Sequence, residues 1–403
     1  LQTRQRTVCW MVRWWLTVVY GASGDVLGDC SEMERYALEH PMLHVKFMAV
    51  HASRTTHALN YLNRKGVFPY SFYVAFKSWQ KQAYGVAKEL MKTQQFDLCH
   101  MVGPIGYREP GYFWKLGLPY MWGPIGGANN SPWTLVKHLP WKGRLKHIFR
   151  STANTLQMYT SCRVKKALQA TDVLLTATTE NQSKFHKLYG KESRYLPENC
   201  IDAEIRVNEE KYCYPATYNF IIVGRQDDRK NIKLFLRSLT YVKNKKNLHV
   251  DVVGDGPTRT SLQEFAFKNG LDDIITWHGQ LPRTKAVQLF NNAHIHVITS
   301  ISEGNPTTLW EAMSYGVPTL SLDHCGMHDT IDDESGIRIP IHSYEQCVKD
   351  IATTVEALLE HPERFKELSE GVVKRSKQYT WDKREQLLLD CYRKALDNFY
   401  SKK

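Results

Sequence analysis

Ile295-His296-Val297-Ile298-Thr299, followed two residues later by Ser302-Glu303-Gly304-Asn305-Pro306-Thr307-Thr308-Leu309-Trp310-Glu311-Ala312-Met313-Ser314-Tyr315-Gly316-Val317-Pro318, decides how this chain is read. The apolar run reads as a strand, Gly304-Asn305-Pro306 as a tight loop, and the remainder as a helix closed by Gly316 and Pro318. Pro306 is expected at the first helical position, where its missing N–H leaves no extra donor unpaired. Two carboxylates, Glu303 and Glu311, stand eight positions apart across that loop. A helix start offers free backbone N–H groups and a positive dipole end, which favours a phosphate by roughly 0.3–1 kcal/mol for the dipole alone. Those facts also fit an ordinary, well-capped βα unit.

Working outward, the second half alternates short apolar runs with helical patterns. Strands are expected at Phe220–Val223, Leu248–Val253, Ile274–Trp277, Ile295–Thr299 and Thr319–Leu322. Between the first two, Ile232, Phe235, Leu236 and Leu239 follow the i, i+3, i+4, i+7 rule of an amphipathic helix. Such alternation implies a parallel sheet covered on both faces, a Rossmann-like doubly wound domain whose ligands bind beyond the carboxyl ends of the strands. Gly224-Arg225, Gly254-Asp255-Gly256-Pro257, His278-Gly279 and Ser302 to Pro306 all fall at strand exits, with Gly256 expected to supply a positive φ. Arg225 and Lys230 are spaced to converge on a diphosphate, the guanidinium forking its oxygens and the ammonium acting as a point charge. A solvated basic loop is the plainer alternative.

The first half is α/β and less regular. Strands are expected at Val45–Val50, Phe96–Val102, Pro119–Trp122, Val173–Ala177 and Tyr195–Leu196, with long helices over Ser71–Lys92 and Trp141–Ala170. Pro197 to Asp202 and the polar stretch after it read as a linker. The stretch from Ser343 to Tyr400 reads as helical, broken near Pro362 and Thr380.

Glu303 and Glu311, with their small-residue loop and the Ala312-Met313-x-x-Gly316 helix end, resemble the E-x7-E signature of retaining glycosyltransferases of family 4. Gly224-Arg225…Lys230-Asn231, Gly254-Asp255-Gly256-Pro257 and His278-Gly279-Gln280-Leu281 resemble further elements of that family in the same order. The likeness runs from Phe220 to Pro340. It implies an α/β GT-B fold, in which two Rossmann-like doubly wound domains face a cleft and the C-terminal helix crosses back to the N-terminal domain. The boundaries expected are an acceptor domain over 1–202, a donor domain over 203–380 and a crossover helix over 381–403. By the same resemblance Glu303 lies against the donor sugar and Glu311 holds the ribose hydroxyls. Arg225 and Lys230 neutralise the leaving diphosphate, and Gly224, Gly304, Asn305, Pro306 and Thr307 line the donor. Gln280 and Leu281 lie near the base, and His278 is expected to be structural. Tyr120 to Gly127 resembles a Gly-Pro-x-Gly-Gly element that faces the cleft, which makes Gly126 and Gly127 cleft residues. His100, at a strand exit, is a candidate contributor beside them. No Asp-x-Asp pair occurs, so cationic side chains are expected to replace an essential metal, and no cofactor is expected. The N-terminus departs most from the family. Gly21-Ala22-Ser23-Gly24-Asp25 matches its glycine-rich loop poorly, so the first βα unit is expected to be missing or altered.

Composition bounds the setting. The 403 residues suffice for two or three domains, and no apolar run reaches a membrane-spanning length; Val8–Ala22 resembles a signal peptide only in outline. Nine cysteines with no C-x-x-C pair suggest a reducing compartment. Residues 1–200 hold 26 Lys+Arg against 12 Asp+Glu, whereas residues 201–403 hold 27 against 29, so the first half carries the whole positive excess. Trp133, Leu135, Leu139 and Trp141 interleave with Lys137, Lys142, Arg144 and Lys146, the pairing an interfacial helix needs. Contact of the basic 133–166 region with an anionic membrane is therefore expected, at the cytoplasmic face. Nucleic acid is not expected as a partner, since no recognition motif for it occurs. The expected reaction moves a hexose-type sugar from a nucleoside-diphosphate donor to a saccharide or lipid-linked acceptor. Donor binding with little transfer, or a basic nucleic-acid-binding role, are the alternatives.

Overall fold

The computed structural model describes residues 15–22, 26–68, 70–201, 204–205, 207–213 and 215–402. The chain divides into two compact units, Leu1–Cys99 with Glu109–Tyr120, and His100–Arg108 with Met121–Lys403.

In the first unit, strands β1 (Leu16–Tyr20) and β2 (Val45–Ala49) pair in parallel, with the helix Ser31–Glu39 between them in sequence. These elements form a βα unit in the stretch where the first such unit was expected to be missing or altered. Of the poorly matching loop, residues 23–25 lie outside the described residues. The 23-residue helix Ser71–Thr93 buries Ala75, Phe76, Trp79 and Ala83. Trp79 donates its indole N–H to the Val50 carbonyl at 2.7 Å, which gives a buried polar atom its partner.

The second unit holds two parallel sheets. Strands β3 (Cys99–Met101), β4 (Tyr120–Ile125), β5 (Val173–Thr176) and β6 (Ser193–Tyr195) form one, in that order. The expected helix 141–170 is two helices, Trp141–Thr160 and Cys162–Ala170, broken at Ser161, whose side chain caps the second. The other sheet contains β7 (Tyr218–Val223), β8 (Leu248–Val253), β9 (Ile275–Gly279), β10 (Ile295–Ile298), β11 (Thr319–Leu322) and β12 (Gly336–Ile339), in the order β12-β11-β10-β7-β8-β9. The chain winds outward from β7 to β9, then returns to lay β10 on the other side of β7. That reversal is the topological switch point of a doubly wound sheet, where the first turns of two adjacent strands part and leave a crevice. The strand β12 was not anticipated, because Arg338 interrupts its apolar run.

The helix Ile232–Leu239 buries all four expected apolar positions against the sheet, together with Phe220, Val250 and Phe365. Each such side chain contributes about 1.5–3 kcal/mol on burial. The last helix, Trp381–Tyr400, crosses back as expected. Arg384 donates to the Pro197 carbonyl at 2.5 Å and Asn398 to the Asp172 carbonyl at 3.0 Å, and Lys402 pairs with the Asp172 carboxylate at 2.8 Å.

Candidate active site

The exits of β7, β8 and β9 are laced together by backbone. The Gly224 amide donates to the Val253 carbonyl and the Gly254 amide to the Gly279 carbonyl, at 2.9 and 2.8 Å. Gly254, at φ +119°, supplies the positive φ expected of Gly256; a Cβ there would lie 2.1 Å from the Gly224 carbonyl oxygen. Gly256 is needed for a different reason, since its Cβ would meet the Gln226 carbonyl at 2.3 Å. Gln226 is buried and donates to the Gly254 carbonyl at 2.7 Å, which pins two of these loops to each other.

At the switch point, the loop after β7 reaches the loop after β10. Lys230 Nζ lies 2.7 Å and Arg229 Nη1 2.8 Å from Glu303 Oε1, and only 9 % of the Glu303 side chain is exposed. Both contacts are close ion pairs on the same carboxylate oxygen. Burial alone would raise the Glu303 pKa, but the charges of Lys230 and Arg229 outweigh it, and the carboxyl is held below its usual value. Thr299 donates to the carbonyls of Lys230 and Asn231, at 3.2 and 3.1 Å, which fixes the base of the loop. Asn231 stands at φ +48°, a left-handed position that Asn tolerates better than other non-glycine residues.

Of Arg225 and Lys230, the pair expected to converge on a diphosphate, only Lys230 lies at Glu303. Arg225 points outward, 71 % exposed, with Asp227 at 3.7 Å, and Arg229 takes the place beside Lys230. Two cations thus share one buried carboxylate, and a third stands exposed beside Asp227. That excess of positive charge suits a diphosphate.

Pro306 is the residue before the helix, which runs Thr307–Ser314, one position later than expected. Asn305 is buried and accepts from the Trp310 indole, which leaves its own amide nitrogen, like the Thr308 hydroxyl, buried without a partner. Buried polar atoms left unpaired cost about 1–3 kcal/mol each, so two beside one carboxylate indicate a surface shaped for a polar ligand. Glu311 sits in the second turn of this helix, 13 % exposed and 2.8 Å from Arg283 Nε, a partner absent from the sequence reading. On the family resemblance, which assigns the ribose hydroxyls to Glu311, Glu311→Ala is expected to weaken nucleotide-sugar binding by about 1–3 kcal/mol, measured by calorimetry. Gln280 is exposed at the same edge, whereas Leu281 packs against the cluster of Ile221, Val253 and Phe290. His278 is structural as expected, with Nε2 2.6 Å from Asp251.

The remaining residues from the first half divide. His100 spends both ring nitrogens on the fold: Nε2 donates to the Gly123 carbonyl at 2.8 Å, and Nδ1 accepts from the Tyr392 hydroxyl at 3.1 Å. Burial pushes its pKa down to about 4, so it stays neutral. It is a bracket for the crossover helix, not a group free for substrate. Gly126 exchanges backbone hydrogen bonds with Ile105 and Tyr107 in an isolated bridge, and Gly127, at φ +80°, turns the chain toward Asn129. Asn129 reaches Cys325 Sγ at 3.5 Å, so this element does meet the loop after β11. Cys325, at φ +53°, lies 3.3 Å from His324 Nδ1, and His324 Nε2 donates to the Ser300 carbonyl at 2.8 Å.

Glu198, read as linker, is the group the sequence reading missed outright. Its Oε1 lies 3.1 Å from where a Cβ on Gly304 would stand, and Asn199 donates to the Asn305 carbonyl at 3.4 Å. Burial and the neighbouring Glu303 charge raise its pKa to about 7. A carboxyl whose folded pKa exceeds its unfolded value stabilises the fold below the unfolded value and loses that contribution as pH rises toward 7. Glu198→Gln is therefore expected to gain stability relative to the parent between pH 5 and pH 8, read as a difference in Tm; a pH-independent difference would remove Glu198 from this site. Among the described residues, no group of three or more His, Cys, Asp or Glu is placed to hold a metal ion.

Residues 210–372 match the family model described as Glycosyl transferases group 1. The chain is 36 % identical over 111 residues to a lipopolysaccharide 1,6-galactosyltransferase of Escherichia coli (strain K12), covering 27 % of this chain and 30 % of that protein. It is 23 % identical over 346 residues to a D-inositol 3-phosphate glycosyltransferase of Rhodococcus erythropolis, covering 78 % of this chain and 76 % of that one. Among solved structures, a lipopolysaccharide outer core galactosyltransferase in its apo form aligns with a TM-score of 0.58 at 15 % identity, over 96 % of this chain and 99 % of the other. A sucrose-phosphate synthase from Thermosynechococcus elongatus aligns with a TM-score of 0.60 at 14 % identity, over 94 % and 98 %. At these identities the structural likeness establishes the fold, a GT-B arrangement of Rossmann-like sheets.

Proposed function

We propose that the protein is a retaining glycosyltransferase of the family 4 kind, which moves a hexose-type sugar from a nucleoside-diphosphate sugar to a hydroxyl of a saccharide or lipid-linked acceptor. The observation that carries this reading is Glu303, buried at the switch point with Lys230 and Arg229 on one oxygen and unpaired polar atoms of Asn305 and Thr308 beside it. The sugar lies against Glu303 and the helix start at Thr307, and the ribose reaches Glu311. As the bond from the anomeric carbon to the diphosphate breaks, negative charge grows on the leaving oxygen, and Lys230, Arg229 and the exposed Arg225 stabilise it. The acceptor oxygen bonds to the anomeric carbon on the same face, and its proton passes to the departing diphosphate. Glu303 steadies the positive charge on the sugar ring. No essential metal is needed in this scheme, since side-chain cations take that role.

The lipopolysaccharide in one relative's name supports a glycan as acceptor, and in this reading the acceptor is handled at the cytoplasmic face of a membrane. No described helix is long and apolar enough to cross a membrane. A peripheral contact through the basic 133–166 region completes the reading. The test is a screen of donor hydrolysis across UDP-, GDP- and ADP-hexoses. One base series is expected to turn over slowly in the absence of acceptor, with Lys230→Met inactive on it. A series that binds but is never cleaved, with lipid-linked acceptors added, would mean a nucleotide-sugar-binding protein instead.

A further inference from the structure

The helix Trp141–Thr160 carries its apolar residues on the wrong side for a helix that only completes a core. Its buried positions are Gly143, His147, Asn154 and Met158, three of them glycine or polar. Its large apolar side chains face out: Trp141 is 65 % exposed, Leu145 56 %, Ile148 39 %, Leu156 60 % and Tyr159 59 %. At about 100° per residue these five fall within a stripe roughly 80° wide, opposite the buried face, and Phe149, 56 % exposed, extends it to roughly 100°. Lys142 and Lys146 border the stripe on one side and Arg144 on the other, all exposed. Between Pro110 and Thr171 the sequence holds nine Lys and Arg and no Asp or Glu.

We infer that this stripe is the surface that docks on an anionic lipid bilayer, with Trp141, Leu145, Leu156 and Tyr159 entering the headgroup boundary and the flanking lysines and Arg144 resting on acidic headgroups. A 20-residue helix is about 30 Å long, so it lies in the interface plane rather than across it. Aromatic ends and long basic side chains suit that depth, because each has an apolar body and a polar tip. A protein partner would have to match an apolar stripe and an uninterrupted positive border at once; an acidic bilayer does both without further design.

The opposite face gives the docking a purpose. A Cβ on Gly143 would stand 2.5 Å from Asp228 Oδ2, so the helix bears directly on the loop that carries Arg229 and Lys230. The anchored element and the donor loop are neighbours, and a lipid-borne acceptor would be met beside the donor. This inference rests on the reading of the acceptor as membrane-borne.

Sedimentation of the full chain with vesicles of equal phosphatidylglycerol and phosphatidylcholine, without nucleotide sugar, tests it. Binding is expected to the acidic vesicles and to be at least tenfold weaker to pure phosphatidylcholine or at 1 M salt. The double variant Leu145→Glu with Leu156→Glu is expected to lower partitioning at least tenfold with an unchanged circular dichroism spectrum and Tm. Lys142→Glu with Lys146→Glu is expected to do the same by removing the charge term. Acidic-vesicle binding that survives both double variants would overturn the assignment. So would a lowered Tm in the leucine variant without any vesicle binding, which would mean that the stripe packs against another part of the chain. Self-association that disappears in that variant would give the stripe to a second copy. The sedimentation needs no donor and so reads the docking surface alone; vesicle binding together with a failed donor-hydrolysis screen would sink the transferase reading and leave the docking surface standing.

Discussion

Glu303→Gln is expected to lower the turnover of donor sugar by about two to three orders of magnitude while changing the donor KM less than tenfold. Glutamine keeps the shape of the side chain and removes the charge that faces the developing cation of the ring. In the parent, Lys230 and Arg229 are both committed to one Glu303 oxygen, at 2.7 and 2.8 Å. Neutralising that oxygen releases them to the diphosphate, so ground-state binding is preserved as transition-state stabilisation is lost. Initial rates over a donor series separate the two effects. A variant with normal turnover and a raised KM would move Glu303 from the reacting sugar to simple binding. The pH dependence follows with a definite sign. The Glu303 pKa is lowered in the fold, so its stabilising contribution is present above the unfolded carboxyl value and is lost as pH falls through the lowered folded one.

Gly254→Ala is expected to destabilise the fold by about 3–5 kcal/mol, from a strained φ together with overpacking against backbone. The residue sits at φ +119°, and its Cβ would stand 2.1 Å from the Gly224 carbonyl oxygen and 2.8 Å from that carbonyl carbon. Neither atom can swing aside as a side chain would, so β7 and β8 must separate at their exits and carry the donor loop with them. Gly270 provides the control, with φ +62° and nothing within 4 Å of an added Cβ. Its alanine variant is expected to cost only about 1–2 kcal/mol, the intrinsic strain of a left-handed residue. Equal urea midpoints for the two variants would show that the loops are not clamped as described.

The donor half was legible because its strands are buried on both faces and so read as short unbroken apolar runs. Ile221, Val250, Val252, Ile295 and Leu320 are all buried. The edge strand Gly336–Ile339 escaped because Arg338 interrupts its run, and β1 was blurred within a longer apolar stretch. Spacing also placed Glu303, Lys230 and Glu311 at one sheet edge. It did not choose between Arg225 and Arg229, which lie on the same loop and differ only in how that loop folds. Arg283 on Glu311, Glu198 against Gly304 and Asn129 on Cys325 each join segments far apart in the chain, and no local pattern marks them. His100 shows the converse. A histidine at a strand exit looks available until its two partners, Gly123 and Tyr392, are in view.

Calorimetric titration of UDP-, GDP- and ADP-hexoses into the parent protein and Lys230→Met tests the donor site most directly. One nucleotide series is expected to bind the parent, to be displaced by its own nucleoside diphosphate, and to bind the variant at least about tenfold more weakly, as loss of a charge-assisted contact requires. Binding of no series, or equal binding by parent and variant, would contradict a nucleoside-diphosphate site at the β7–β10 switch point.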